Sequence, residues 1–158
     1  MTREVSLTAR VREIIDRLRL EPRPEGGFYR ETWRSPVEIA ADALPEGYSG
    51  PRAAMTSILF LLPSGMASAF HRVRSEELWM HHQGDDLTLY AGSTRQKALS
   101  PSGRTHLGQA GDKALQAVVP AGYWQGAEAL EGPAGYALVG CVVAPGFDFD
   151  DFEVLRAD

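Results

Sequence analysis

Residues 65–84, GMASAFHRVRSEELWMHHQG, decide how the rest of the chain reads. Between its two terminal glycines the stretch gathers His71, His81, His82, Glu76 and Glu77, with apolar residues alternating among them. Alternation of period two predicts two short strands joined by a turn, because successive strand side chains point to opposite faces. His71 and Val73 then share one face, as do Glu77, Trp79 and His81. With both faces turned into one cavity, an imidazole and a carboxylate meet on an otherwise apolar floor. A metal or a small polar ligand is held in such a place.

Outward from this stretch the sequence is a train of short strands. The spacing predicts strands over 28–34, 53–62, 67–73, 77–83, 87–91, 115–119, 123–127 and 136–143, with weaker ones over 94–99 and 105–107. Gly and Pro clusters such as Pro63-Ser64-Gly65 and Pro120-Ala121-Gly122 separate them, which points to an all-β antiparallel sandwich or barrel. One helix precedes them. Leu7, Val11, Ile14, Ile15 and Leu18 fall at helical spacing over 7–19, with Ser6 as the expected N-cap and Pro22 and Pro24 beyond its end. Residues 35–52 read as a surface loop with a short helical turn, and the tail 144–155 as a closing segment whose Phe147, Phe149 and Phe152 pack down.

The chain of 158 residues suits a single domain over 1–158, with the helix at about 7–19 and the barrel at about 26–155. A net charge of −5 argues against nucleic-acid phosphates as partners. The longest strongly apolar run, Ile58 to Leu62, is too short to span a bilayer, so no membrane partner is expected. The first residues lack a signal-peptide core, and the one cysteine, Cys141, excludes an internal disulfide. A cytoplasmic protein is the expectation.

The spacing Gly65-x5-His71-x-Val73-x3-Glu77-x6-Gly84 resembles the first motif of the cupin superfamily, with Val73 in the place of its second histidine. Pro120-Ala121-Gly122-Tyr123-Trp124-Gln125 resembles the start of the second motif, with Gln125 where that motif has histidine. The strings PEGGFYRETWRS (24–35), FLLPSG (60–65), AFHRVRSEELW (69–79), PAGYWQ (120–125) and VGCVVAPGFDFDDFE (139–153) narrow the likeness to the small family labelled DUF985 or cupin-5. The resemblance implies a double-stranded β-helix, the cupin jelly-roll barrel, with one N-terminal α-helix. It also implies a homodimer and a ligand site inside the barrel mouth, and it leaves the reaction open.

A cupin metal centre uses three imidazoles and a carboxylate, a set suited to a divalent transition metal. Here the candidate ligands are His71, Glu77 and the weak neutral donor Gln125. Two other readings of the trio stand beside it. In one, His71 and Glu77 are a catalytic acid–base pair in which the carboxylate raises the imidazole pKa, as in metal-free cupin epimerases of sugar-like compounds. In the other, the trio is a hydrogen-bonded cluster that binds a metabolite or merely satisfies itself. Arg30 is the candidate anchor for an anionic group, and Trp79, His81, Tyr123 and Trp124 are candidate walls of the pocket. Cys141, among Leu138, Val139, Val142 and Val143, reads as an inert buried thiol. Three functions stay open: an isomerase or epimerase with His71 as base, a small-molecule binder without chemistry, and a metal-dependent lyase or dioxygenase.

Overall fold

The computed structural model describes residues 6–155. Helix α1 (Ala9–Leu18) starts from Thr8, whose side-chain oxygen accepts a hydrogen bond from the Val11 amide at 3.2 Å. Thr8, not Ser6, is therefore the N-cap; only a residue three before Val11 reaches an orphan amide of the first turn. The helix closes on Arg19, which takes a left-handed conformation at φ 56°. Its apolar stripe, Val11 and Ile14, packs on Leu61, Tyr136 and Leu138 and so covers the outer face of one sheet.

The strands follow in chain order. They are β1 (Glu21–Pro22), β2 (Phe28–Arg34), β3 (Glu38–Ile39), β4 (Arg52–Ala53), β5 (Thr56–Pro63), β6 (His71–Arg72) and β7 (Glu76–Gly84). After these come β8 (Leu87–Gly92), helix α2 (Arg95–Leu99), β9 (Arg104–Leu107), β10 (Gln116–Val119), β11 (Trp124–Ala129), β12 (Tyr136–Ala144) and β13 (Glu153–Val154). One sheet has the order β1-β2-β5-β12-β7-β10, and the facing sheet β13-β6-β11-β8-β9, with antiparallel pairing throughout. The strands β3 and β4 form a separate ribbon inside the loop 35–52. This is a jelly-roll, all-β apart from its helices.

The core lies between the inner faces. Phe60, Leu62, Trp79, Leu87, Leu89 and Val139 meet there, and each such side chain removed from water contributes roughly 1.5–3 kcal/mol. Along β7 the inward residues are Glu77, Trp79 and His81, in the alternation expected from the sequence. That regularity breaks at His82, where the register against β12 slips by one and His82 is left without a partner.

Three expected strands are different. The strand expected over 53–62 is broken, since Ala53 pairs with Glu38 in the small ribbon and β5 begins at Thr56. Within 94–99, Arg95–Leu99 form α2 because Thr94 caps the turn, accepting from the Lys97 amide at 3.2 Å, and Arg-Gln-Lys-Ala-Leu are good helix formers. Residues 67–73 keep only β6 and an isolated bridge at Ala67. In between, Ser68 donates its amide to the Ala127 carbonyl at 2.8 Å and accepts from the Ala127 amide through its hydroxyl at 2.9 Å. The Ala69 amide goes to the Glu25 carbonyl at 2.6 Å. The backbone is satisfied without a ladder, and it is fixed against the turn that precedes β2.

Candidate functional site

Strand β6 carries His71 opposite Gln125 of β11, and β7 carries Glu77 on its inner face. Both His71 and Glu77 line a cavity of about 270 Å³ whose other walls include Arg23, Tyr29, Val73 and Phe147. A smaller recess of about 10 Å³, reaching Glu25 and Trp79, is also lined by Arg23, His71 and Glu77.

The imidazole of His71 is 5% exposed. Its Nδ1 donates to the Ala69 carbonyl at 3.0 Å, which fixes the tautomer and leaves Nε2 with a free lone pair. The ring packs on Phe152 with centroids 5.6 Å apart. Burial pushes its pKa down to about 4; the hydrogen bond to Ala69 opposes this, and the charge of Arg23 adds to it. This corrects the sequence reading, in which a neighbouring Glu77 raises the imidazole pKa. No hydrogen bond joins His71 to Glu77, so desolvation wins and the ring is neutral near pH 7.

Glu77 is held by a relay from the core. Trp79 Nε1 donates to Gln125 Oε1 at 2.9 Å, and Gln125 Nε2 donates to Glu77 Oε2 at 2.8 Å. The indole has only a donor, so it fixes which way the Gln125 amide points and obliges that amide to donate to the carboxylate. Burial raises the Glu77 pKa, against the lowering effects of Arg23, Gln125 and the Cys141 thiol. Burial and the Glu77 charge push Cys141 well above the usual thiol range, so it is inert as a nucleophile.

Two residues that the sequence reading passed over complete the site. Arg23 and Glu25 form an ion pair with side chains 9% and 3% exposed. The Arg23 guanidinium lies over the Tyr29 ring at 4.7 Å and near the Phe147 ring at 5.4 Å. Burial raises the Glu25 carboxyl, with Arg23 opposing and Glu77 reinforcing. Both residues stand in the Pro-Arg-Pro-Glu-Gly-Gly turn, where neither period two nor helical spacing marks a face. The available signal was a pair of opposite charges set directly against a Gly-Gly turn.

The other candidates lie elsewhere. Arg30 projects from β2 on the exposed side, while its neighbours Tyr29 and Glu31 line the cavity. Strand alternation accounts for this, so Arg30 is not the cavity's cation and Arg23 is. His81 is buried away from the cavity, tied to Asp85 and Gln109. Tyr123 packs against the core, and Trp124 lies outside the cavity under the Arg72 guanidinium at 4.7 Å. Trp79 reaches only the small recess and otherwise fills the core, edge-on to Phe60.

The donor set does not fit a transition metal. Among the described residues no group of three or more His, Cys, Asp or Glu side chains is arranged to hold an ion. Val73 offers no lone pair, the Gln125 oxygen is committed to Trp79, and the Arg23 guanidinium places a positive charge in the same cavity. No helix among the described residues is long and apolar enough to cross a membrane.

Residues 12–155 match the family described as Cupin superfamily (DUF985). The chain belongs to this cupin family. A hypothetical protein from Leishmania major is 35% identical to this cupin over 95% of the chain and 88% of its own, with a TM-score of 0.76. A protein from Shewanella oneidensis is 36% identical over 96% and 86%, with a TM-score of 0.72. The oxalate decarboxylase of Bacillus subtilis, at 18% identity, 85% and 29% coverage and a TM-score of 0.54, shares the fold alone. No curated protein matches the cupin's sequence.

Proposed function

We propose that this cupin binds a small polar metabolite in the barrel cavity and moves a proton on it, as an isomerase or epimerase does. The reading rests on one observation: His71 and Glu77 line the same cavity, His71 with Nε2 free to accept and Glu77 held in place by Gln125. Burial lowers the pKa of the imidazole and raises that of the carboxyl. Such a divergence is what separate base and acid roles require. His71 Nε2 takes a proton from a carbon beside a carbonyl, and Glu77 gives one to the carbonyl oxygen, forming an enol. For isomerisation the imidazolium gives its proton to the neighbouring carbon while the Glu77 carboxylate takes a proton back from the other enediol oxygen. For epimerisation the enol turns over, the proton returns to the opposite face of the same carbon and Glu77 takes back the enol proton. Either course restores both side chains.

The test is exchange in heavy water. Candidate hydroxy-carbonyl compounds incubated with the protein in D2O are followed by NMR for loss of the carbon-bound proton signal. The proposal expects exchange with the native chain and none with His71→Ala. Exchange that survives the substitution contradicts it.

Binding without turnover is the second reading, favoured by Val73 and Gln125 standing where the motif's imidazoles would be. Under it a ligand raises the melting temperature yet returns with its protons unexchanged.

A further inference from the structure

We propose that Arg23 and Glu25 form a hydroxyl-reading pair behind the acid–base groups, and that the cavity's ligand is a neutral, hydroxyl-rich compound. This rests on the cavity being the ligand site. The pair is presented by a rigid turn. The Arg23 amide donates to the Gly27 carbonyl at 3.0 Å, the Gly26 amide donates back to the Arg23 carbonyl at 3.0 Å, and the Glu25 carbonyl accepts from Ala69. Gly27 sits at φ 76°, and a Cβ there would run into the Phe60 ring and the Leu61 carbonyl. Only glycine fits, so the turn holds one shape.

Glu25 faces Arg23 through Oε1, and two buried atoms of the pair, Glu25 Oε2 and Arg23 Nε, have no hydrogen-bond partner among the described residues. Buried carboxylate oxygens are seldom left so, and each one that is asks for an explanation. The recess that Glu25 and Arg23 line has about 10 Å³ of free space. That is room for one water-sized atom, and no more. The atom must donate to Glu25 Oε2 while also offering a lone pair to the guanidinium. A hydroxyl does both, whether it belongs to a water or to a ligand. A carboxylate has nothing to donate, and an ammonium has nothing to accept with.

Charge leads to the same class. Glu25 already neutralises Arg23, and Arg34 at the cavity mouth is held by Glu31 at 2.8 Å. An anionic ligand finds no unpaired cation, and a cationic ligand finds no unpaired carboxylate, since Glu25 is held by Arg23, Glu31 by Arg34 and Asp148 by Arg52 at 4.0 Å, with Glu77 carrying the proton it donates. The aromatic rings of Tyr29, Phe147 and Phe149 supply faces for the C–H side of a polyol.

The experiment is calorimetry near neutral pH with matched sets on one carbon skeleton: glucose, gluconate and glucosamine, and likewise xylitol, xylonate and a xylose-derived amine. The native chain should bind a neutral member at least about tenfold more tightly than its charged analogues. Glu25→Gln keeps the volume but frees the guanidinium, so the preference should invert in favour of the carboxylate. A role limited to folding would weaken all three compounds alike. Arg23→Lys, which keeps the charge and loses the planar fork, is the second variant and should weaken the neutral compounds alone. Tighter binding of a charged member by the native chain, or no binding by any neutral member, overturns the inference. Binding lost in His71→Ala but indifferent to Glu25→Gln overturns it and leaves the cavity as the ligand site. Binding indifferent to both overturns the cavity as well.

Discussion

His71 and His81 lie on neighbouring segments of the barrel, each 5% exposed, and only His71 has a free ring nitrogen. Away from the cavity His81 Nε2 donates to the Asp85 carbonyl at 2.9 Å, and its Nδ1 accepts from the Gln109 amide at 2.9 Å. The Asp85 carboxylate there accepts from the Ala134 and Gly135 amides and the Ser64 hydroxyl. Every polar atom just named has a partner. At the cavity end His71 spends one nitrogen and Glu25 one oxygen, and the second atom of each is left over. Equal burial therefore hides opposite hydrogen-bonding states: a fully partnered polar group locks a fold, and a half-partnered one keeps bonding capacity that the proposed function assigns to a ligand.

The largest expected effect separates the two histidines. Under the proposed proton transfer, His71→Ala should lower the rate of exchange by roughly 10²- to 10⁴-fold, the range for a general base, with the fold intact in circular dichroism. His81→Ala should leave exchange measurable but cost about 1–3 kcal/mol in urea unfolding, because the Asp85 carbonyl and Gln109 lose a buried partner. The reverse pattern would break the comparison. Asp85→Ala, which removes the acceptor for three hydrogen bonds, should cost on the order of 3 kcal/mol and should leave ligand affinity unchanged.

Next in size is the pH dependence of stability. The folded pKa of His71, about 4, lies below its unfolded value, so the unfolded chain binds more protons as the pH falls from neutrality towards 4. The native protein should thus lose on the order of 2 kcal/mol from this group between pH 7 and pH 5, and His71→Gln should lose less. The raised carboxyls act in the opposite sense. Their contribution is present at low pH and declines as the pH rises through their folded pKa values, so Glu77→Gln should gain stability relative to the native chain towards alkaline pH. Urea titrations across this range read both slopes. The smallest effect belongs to Cys141, whose thiol helps to lower the Glu77 pKa. Cys141→Ala should move the upper limb of the pH–rate profile upward, because the hydrogen bond that lowers the Glu77 pKa is gone.

The sequence carried the barrel because its signals are local and periodic. The alternation through Glu77, Trp79 and His81 and the glycines at 65 and 84 survive intact in β7 and its turns. For the same reason it placed His71 and Glu77 on inward faces, and both line one cavity. Arg30 stands out in the sequence and Arg23 does not, because a strand displays its periodicity and a Pro-Gly turn does not. His81 looked like a pocket wall because sequence spacing gives the face of a residue but not its partners; Gln109, which satisfies it, is 28 positions away. The sign of the His71 shift was equally hidden. It depends on how far Glu77 stands off and how dry the cavity is, and both are set by the packing of β6 against β11 and β13.

The most direct measurement is nitrogen-15 NMR of the imidazole rings across a pH titration. The account predicts that His71 stays neutral as the Nδ1–H tautomer through the physiological range and titrates near 4. An ordinary titration between pH 6 and 7, or a proton resident on Nε2, would contradict it.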